Sequence, residues 1–278
     1  MWRRRGPAQR PDQRALHAGF AVPAGLALLF LAVPVLALVY EAATAGDVGD
    51  RLTNEQTLAA LRLSLATSTL TLVLALVLVT PLAYLLARAE FPGKRVVDTL
   101  IDLPLVLPPT VAGVALLVAF GRRGVLGPPL EASGIELAFT TAAVIVAQLF
   151  VSAPFLARSL KAGFEAVDPA YEAVSATLGV SPLRTFWRVS LPLARPALVG
   201  GSVLCWARAV GELGATLIFA GNFEGRTQTM PLAIISAFQS SDGLAGAIAL
   251  SVILVAVAFA LLLLLRVTGV EPRARAGS

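Results

Sequence analysis

Residues 168–192 read DPAYEAVSATLGVSPLRTFWRVSLP, and their punctuation is that of two short helices joined by a glycine turn. Asp168 can cap the first helix, and Pro169 suits its first position. Gly179 stands where that helix should stop, in the role that favours a left-handed backbone. Ser181 and Pro182 repeat the start signal. The stretch lies between two long apolar segments, where a capped helix pair has little reason to exist unless something docks on it. The plain alternative is an ordinary loop with two helical turns.

The flanking segments set the fold class. Of 278 residues, 57% are hydrophobic and 14% charged, and the mean hydropathy is +0.80. Soluble domains carry roughly 25% charged residues. Several runs reach the ~20 apolar residues that cross a bilayer core as helix, so the chain is expected to be an all-α, polytopic membrane protein. No stretch is left over for a separate soluble domain of about 50 residues, so the chemistry must come mostly from partners. The net charge of +5 is spread along loops and does not point to nucleic acid. Cys205 is the sole cysteine, which excludes an intrachain disulfide and suggests a small buried packing residue. His17 is the sole histidine, so no metal site built on His and Cys and no Ser-His-Asp arrangement is expected. No G-x-x-x-x-G-K-[ST] phosphate loop occurs, so the chain should not hydrolyse ATP.

Six spans are expected, at 18–40, 59–87, 97–120, 137–160, 192–220 and 244–266. The first follows the basic stretch MWRRRGPAQRPDQR and is too long for a signal-peptide core of about 7–15 residues, so it reads as a retained span. The third contains Pro104, Pro108 and Pro109, which must kink or break it. Broken helices survive in a membrane where protein or a water-filled cavity satisfies the freed carbonyls. Span three is therefore either a pathway segment or a kinked packing helix. Lysine and arginine are enriched in cytoplasmic loops. An inside N-terminus places Arg3, Arg4, Arg5, Arg10, Arg14, Arg88, Lys94, Arg95, Arg158, Lys161, Arg184, Arg188, Arg195, Arg266, Arg273 and Arg275 inside. It leaves outside Arg51, Arg122, Arg123 and Arg226, with Arg62 near a span end. The expected organisation is a cytoplasmic tail over 1–17, a transmembrane domain over 18–267 with residues 168–192 facing the cytoplasm, and a cytoplasmic tail over 268–278.

With that topology, residues 168–192 resemble the coupling loop of ATP-binding-cassette (ABC) importer permeases, whose pattern is Glu-Ala-Ala, three residues, Gly, nine residues, an aliphatic residue, one residue, Leu-Pro. Gly179, Val189, Leu191 and Pro192 fit that spacing. Ala173, Val174 and Ser175 fall on the Glu-Ala-Ala positions and Glu172 one residue early, so either Glu172 serves instead or the family's salt bridge is absent. Residues 208–232, RAVGELGATLIFAGNFEGRTQTMPL, resemble molybdate-type permeases. The match is carried by Arg208, Gly211, Glu212, Gly214, Ala215, Thr216, Ala220, Gly221, Asn222, Gly225, Arg226, Thr227, Gln228 and Thr229, with Leu213 in place of the usual aromatic residue. Residues 103–113, LPLVLPPTVAG, and Gly121-Arg122-Arg123-Gly124 extend the likeness. The resemblance implies a type I ABC importer permease fold and molybdate as cargo, with sulfate or tungstate as the close alternative. It implies a second copy of the chain, two cytoplasmic ABC ATPase subunits that use ATP and Mg, an external oxyanion-binding protein, and no cofactor on this chain. It implies ATPase coupling through Asp168, Glu172, Ala173, Gly179, Pro182, Val189, Leu191 and Pro192. An ion-gradient-driven secondary transporter is the distant alternative, and it would often carry intramembrane carboxylates.

The pathway candidates are Pro104, Pro108, Pro109, Arg208, Gly211, Glu212, Gly214 and Thr216. Arg208 and Glu212 are four apart on a helix and can pair. The pair either locks elements together or meets a passing anion, and a carboxylate favours the structural or gating role. Gly211, Gly214, Ala215 and Thr216 are small enough for close helix approach, in a dimer seam or in plain packing. In the external loop, Asn222 belongs to the matching motif, while Arg226, Thr227 and Gln228 could offer charge and hydrogen bonds to an arriving oxyanion or its delivery protein, or merely be solvated. Arg122 and Arg123 could dock an acidic rim or form a solvated turn. Residues 88–95 form an inside turn at lipid headgroups.

Overall fold

The computed structural model describes residues 13–45, 49 and 54–267; the expected tails fall outside these residues except where the first helix begins at Gln13. Among the described residues the regular structure is entirely helical. The long helices are α1 (Gln13–Ala45), α2 (Glu55–Arg88), α6 (Thr141–Glu165) and α13 (Gly243–Val267), with α3 (Lys94–Val106), α4 (Pro109–Phe120) and α5 (Gly127–Ala132) between α2 and α6. The segment expected to couple to the ATPase follows α6 as α7 (Pro169–Thr177), α8 (Pro182–Thr185), a π-helical turn (Phe186–Ser190) and α9 (Leu191–Leu193). Then come α10 (Arg195–Val210), α11 (Gly214–Ala220) and α12 (Met230–Gln239).

Among the described residues, four helices are long and apolar enough to cross a bilayer, or five if the bent pair Pro182–Leu193 and Arg195–Val210 is one span. Two of the six expected spans are interrupted rather than continuous. Span three is two helices broken at Leu107-Pro108, since Pro108 and Pro109 offer no N–H to continue α3. Span five starts after a 74° bend at Ala194 and breaks again at residues 211–213.

Helix α6 is the centre of the bundle. One core packs Ala75, Val79 and Ala83 of α2 and Cys205 of α10 against Leu156, Leu160 and Phe164 of α6. A second packs Ala112 and Leu116 of α4 and Ala215 and Phe219 of α11 against Val144, Ala147 and Val151. A third joins Ala60 of α2 to Met230 of α12 and to Leu250 and Ile253 of α13. The small residues on α2 and α6 let the two backbones approach closely, as membrane helices do when lipid supplies no hydrophobic drive between them. Polar side chains stitch the same seams. Thr71 of α2 donates to Gln148 of α6 at 3.1 Å, and Ser64 accepts from the amide of Met230 at 2.7 Å. Asp98 and Asp102 pin α3 to α6 through Arg158 and Lys161. Helix α1 leans on α13 and leaves nearly all its large apolar side chains exposed.

Candidate functional site

Residues 168–180 are built as their punctuation predicts. Asp168 caps α7 by accepting the Ala170 amide at 2.8 Å, and Pro169 takes the first turn. Gly179 has φ +74°, and the amides of Gly179 and Val180 return to the carbonyls of Ala176 and Ser175, a Schellman closure. Ser181 precedes Pro182 at the start of α8 without a side-chain cap. Pro192 lacks an N–H for the α-helical ladder, and the preceding turn opens into a π-helix closed from the Leu191 amide to the Phe186 carbonyl. The buried hydroxyls of Ser175 and Thr185 meet at 2.7 Å and tie α7 to α8.

Glu172 is the hub. Its Oε1 accepts from Arg88 Nε at 3.1 Å and from Ser190 Oγ at 2.7 Å, and Tyr84 Oη reaches Oε2 at 3.4 Å. Arg88 also donates to the Val167 carbonyl at 2.8 Å. The last turn of α2, the entry to α7 and the π-helical turn are thereby clamped on one carboxylate. Tyr84 stacks edge-on to Phe164 and Phe186, with centroids 5.3 and 4.9 Å away, and backs the clamp with apolar contact. Ala173, one residue on and about 100° round the helix, is exposed. Of the two possibilities for the shifted carboxylate, Glu172 does make a salt bridge, and its partner is within the chain.

Sequence reasoning passed over three neighbours. Tyr171 and Val174 of α7 and Leu178 at its C-cap stand at i, i+3 and i+7 and are 58%, 59% and 76% exposed. That spacing puts an apolar stripe on the outer face of the segment, and the spacing itself was the available signal. Val189 and Leu191 are half-buried, with Leu191 against the α2–α6 core, whereas Pro182 and Pro192 are exposed.

The second cluster forms where the two broken spans meet. Gly214, at the start of α11, lies so close to Pro109 that a Cβ there would sit 2.7 Å from the proline ring and 3.2 Å from its backbone. Gly113 of α4 has the same relation to Ala215 and Ile218. Glu212 is 1% exposed, pairs with Arg208 at 2.6 Å, and accepts the Ala215 amide at 2.8 Å. One carboxylate therefore spans the break, since Gly211 ends α10 and the Ala215 amide is in the first turn of α11. Thr216 is fully buried beside it, its Oγ1 without a protein partner. Pro104 stands inside α3, and Pro108 and Pro109 start α4. Pro109, Gly214 and Glu212 are brought together; Pro104 belongs to the other side of the α3–α4 break.

The loop over residues 221–229, expected to lie outside, departs from an outward-facing set of donors. Thr227 is buried, accepting from the Phe223 amide at 3.0 Å and donating to the Gly221 carbonyl at 3.2 Å. Gln228 and Asn222 both donate to Ser236 of α12, at 3.3 and 2.8 Å. These groups fold the loop onto α12 rather than face solvent. Arg226 remains exposed with no acidic partner among the described residues, and it lines a cleft of about 370 Å³ together with Arg122. Arg122 is already held by Glu136 and, at 3.7 Å, by Glu131, and their hydrogen bond and charge raise its pKa further. Of the two adjacent arginines, Arg123 is the one without a carboxylate among the described residues.

The family described as binding-protein-dependent transport system inner membrane component matches residues 79–276. The molybdenum transport system permease protein ModB of Mycobacterium tuberculosis is 45% identical over 237 residues, covering 85% of this chain and 89% of that protein. The sulfate transport system permease protein CysT of Salmonella typhimurium is 34% identical over 268 residues, covering 94% and 96%. The crystal structure of a bacterial ABC transporter that imports the acidic polysaccharide alginate contains a chain of the same fold, with a TM-score of 0.72 at 18% identity and coverage of 91% and 94%. The chain belongs to the binding-protein-dependent transport system inner membrane components and is a multi-pass permease subunit of an ABC importer, not an enzyme, with ATP hydrolysis in a separate subunit.

Proposed function

We propose that this permease moves molybdate across the cytoplasmic membrane, as two copies of the chain carrying two cytoplasmic ABC ATPase subunits. An external oxyanion-binding protein delivers the cargo. The observation that carries the choice is the 45% identity to molybdenum permeases against 34% to a sulfate permease. The match within residues 208–232 supports it. Sulfate or tungstate is the second reading, favoured by a sulfate relative that covers 94% of the chain. A gradient-driven transporter is disfavoured, because the buried Glu212 is committed to Arg208 and to capping α11.

In this reading both termini lie in the cytoplasm and residues 168–192 dock on the ATPase. Asp168, Gly179 and Pro182 shape the docking pair. Tyr171, Val174 and Leu178 enter a cleft on the ATPase, and the exposed Ala173 lies on the flank of the same helix. Glu172 passes the displacement to α2 through Arg88, while Val189, Leu191 and Pro192 pass it into α10. Closure of the ATPases on ATP and Mg draws the two coupling segments together, and rocking of the bundle opens the pathway outward. The gate lies at Gly211, Glu212, Gly214 and Thr216 against Pro108 and Pro109, with Arg208 holding Glu212 and Pro104 softening α3. Arg226 is the outer cation an arriving dianion meets first, on a loop shaped by Asn222, Thr227 and Gln228. No cofactor is assigned to the chain itself.

The test is ATPase activity of the reconstituted complex with its binding protein, titrated with molybdate, tungstate and sulfate. Half-maximal stimulation by molybdate far below sulfate is expected. Stimulation by sulfate first would replace the cargo and keep the architecture.

A further inference from the structure

A groove of about 750 Å³ runs under the coupling segment. Leu76, Val77, Pro81 and Leu85 of α2 form one wall, and Leu183 and Trp187 stand on the other. No charged side chain lines it. From Leu76 to Leu85 the α2 wall is about 14 Å long at 1.5 Å per residue, close to the ~15 Å apolar depth of one leaflet. The segment Pro182–Leu193 bends by 74° from α10. With α10 crossing the bilayer, the segment lies close to the membrane plane, and Trp187 takes the interfacial level that indole prefers.

Arg184 of α8 and Arg188 of the π-helical turn follow the groove-lining Leu183 and Trp187 directly and stand about one helical turn apart. Both are exposed and neither has an acidic partner among the described residues. Arg88 differs, being committed to Glu172 and the Val167 carbonyl. A bare apolar groove would accept any lipid chain. Two free guanidiniums, each one residue on from a groove-lining side chain, favour a phosphate over a zwitterionic headgroup, since arginine binds phosphate through paired N–H donors.

We propose that this groove binds an anionic phospholipid of the cytoplasmic leaflet, its acyl chain along α2 and its phosphate on Arg184 and Arg188. The bound lipid holds the coupling segment against α2 at the residues that also form the groove wall, Pro182 and Leu191 among them. The leaflet assignment rests on the proposed orientation with residues 168–192 inside.

The complex of the permease with its ATPase subunits, purified in detergent, is titrated with phosphatidylglycerol or phosphatidylcholine and its retained lipid counted by native mass spectrometry. Phosphatidylglycerol is expected to bind about tenfold more tightly or better, from two arginines near the phosphate. The double variant R184Q/R188Q should bring it to the phosphatidylcholine level, and Val77→Trp, which fills the groove, should reduce both. Equal retention of the two lipids, or a preference that survives R184Q/R188Q, overturns the proposal. So does a cross-link in native membranes from Val77→Cys to α1 of a second copy, which would make that helix the occupant. The lipid count is blind to sidedness. Sidedness is read separately, by an impermeant maleimide on Ser181→Cys in intact cells, where protection supports the inner leaflet and labelling overturns it while leaving the lipid count to stand alone.

Discussion

Glu172 holds three elements on one carboxylate, and its removal separates two kinds of importance. Glu172→Ala strands Arg88, Ser190 and Tyr84 in a part-buried node; with the pair about a fifth exposed, the expected loss is about 1 kcal/mol of stability. The transport rate is expected to fall more than this stability loss explains, with ATP hydrolysis retained. A double-mutant cycle with Arg88→Ala should return a coupling energy of about 0.5–1 kcal/mol, and additive single effects would show that the clamp carries nothing. At Gly179 a side chain would find open space, with nothing within 4 Å of where its Cβ would stand, so substitution there acts on backbone alone. With φ at +74°, Gly179→Val is expected to cost about 1–2 kcal/mol in the turn and to uncouple hydrolysis from transport while the protein still inserts. Transport and hydrolysis measured together in proteoliposomes check this, and unchanged coupling would remove the docking role from the turn. Glu172 was legible as a carboxylate one place out of register. Its partner was not, because Arg88 is 84 residues away and meets it through the packing of α2 on α6.

Elements decide where the chain bends. Prolines at 104, 108 and 109 announced the break in α3–α4, because a missing N–H is a local fact. The break at residues 211–213 falls inside an expected continuous span, because apolar sequence alone does not tell a through-helix from two half-helices. What seats α11 on α4 is contact: Gly214 on Pro109 and Gly113 on Ala215. Gly214→Val has no room against a rigid ring and backbone, so overpacking by about 1–3 kcal/mol is expected. The measurement is the thermal midpoint of the purified complex, and an unchanged midpoint would mean the two half-helices can slide apart freely. Asp98 and Asp102, unremarked in the sequence, anchor α3 to α6 through Arg158 and Lys161. Replacing both aspartates by asparagine should lower the same midpoint, and combining them with Arg158→Gln should restore part of it, since an uncompensated charge costs more than an absent pair.

At the scale of the whole molecule, the reading predicts an importer whose hydrolysis responds to molybdate at far lower concentration than to sulfate, and whose residues 168–192 are protected from impermeant reagents in intact cells. Both are measurable on the full complex, and external labelling of the coupling segment would reverse the orientation. Composition and the length of the apolar runs were enough to specify a helical, multi-spanning membrane protein, because burial in lipid requires every backbone group to be satisfied within its own segment. Capping residues and glycine were enough to specify the helix pair over residues 168–185, because helix ends are set by neighbours within four residues. Packing alone decided that Glu172 clamps α2 and that Thr227 and Gln228 turn inward. It also decided that two broken spans meet at Pro109 and Gly214, and that α8 and the π-helical turn lie across α2 over an apolar groove. Those features join residues tens of positions apart, and such contacts are set by how helices seat on one another rather than by any local preference of the chain.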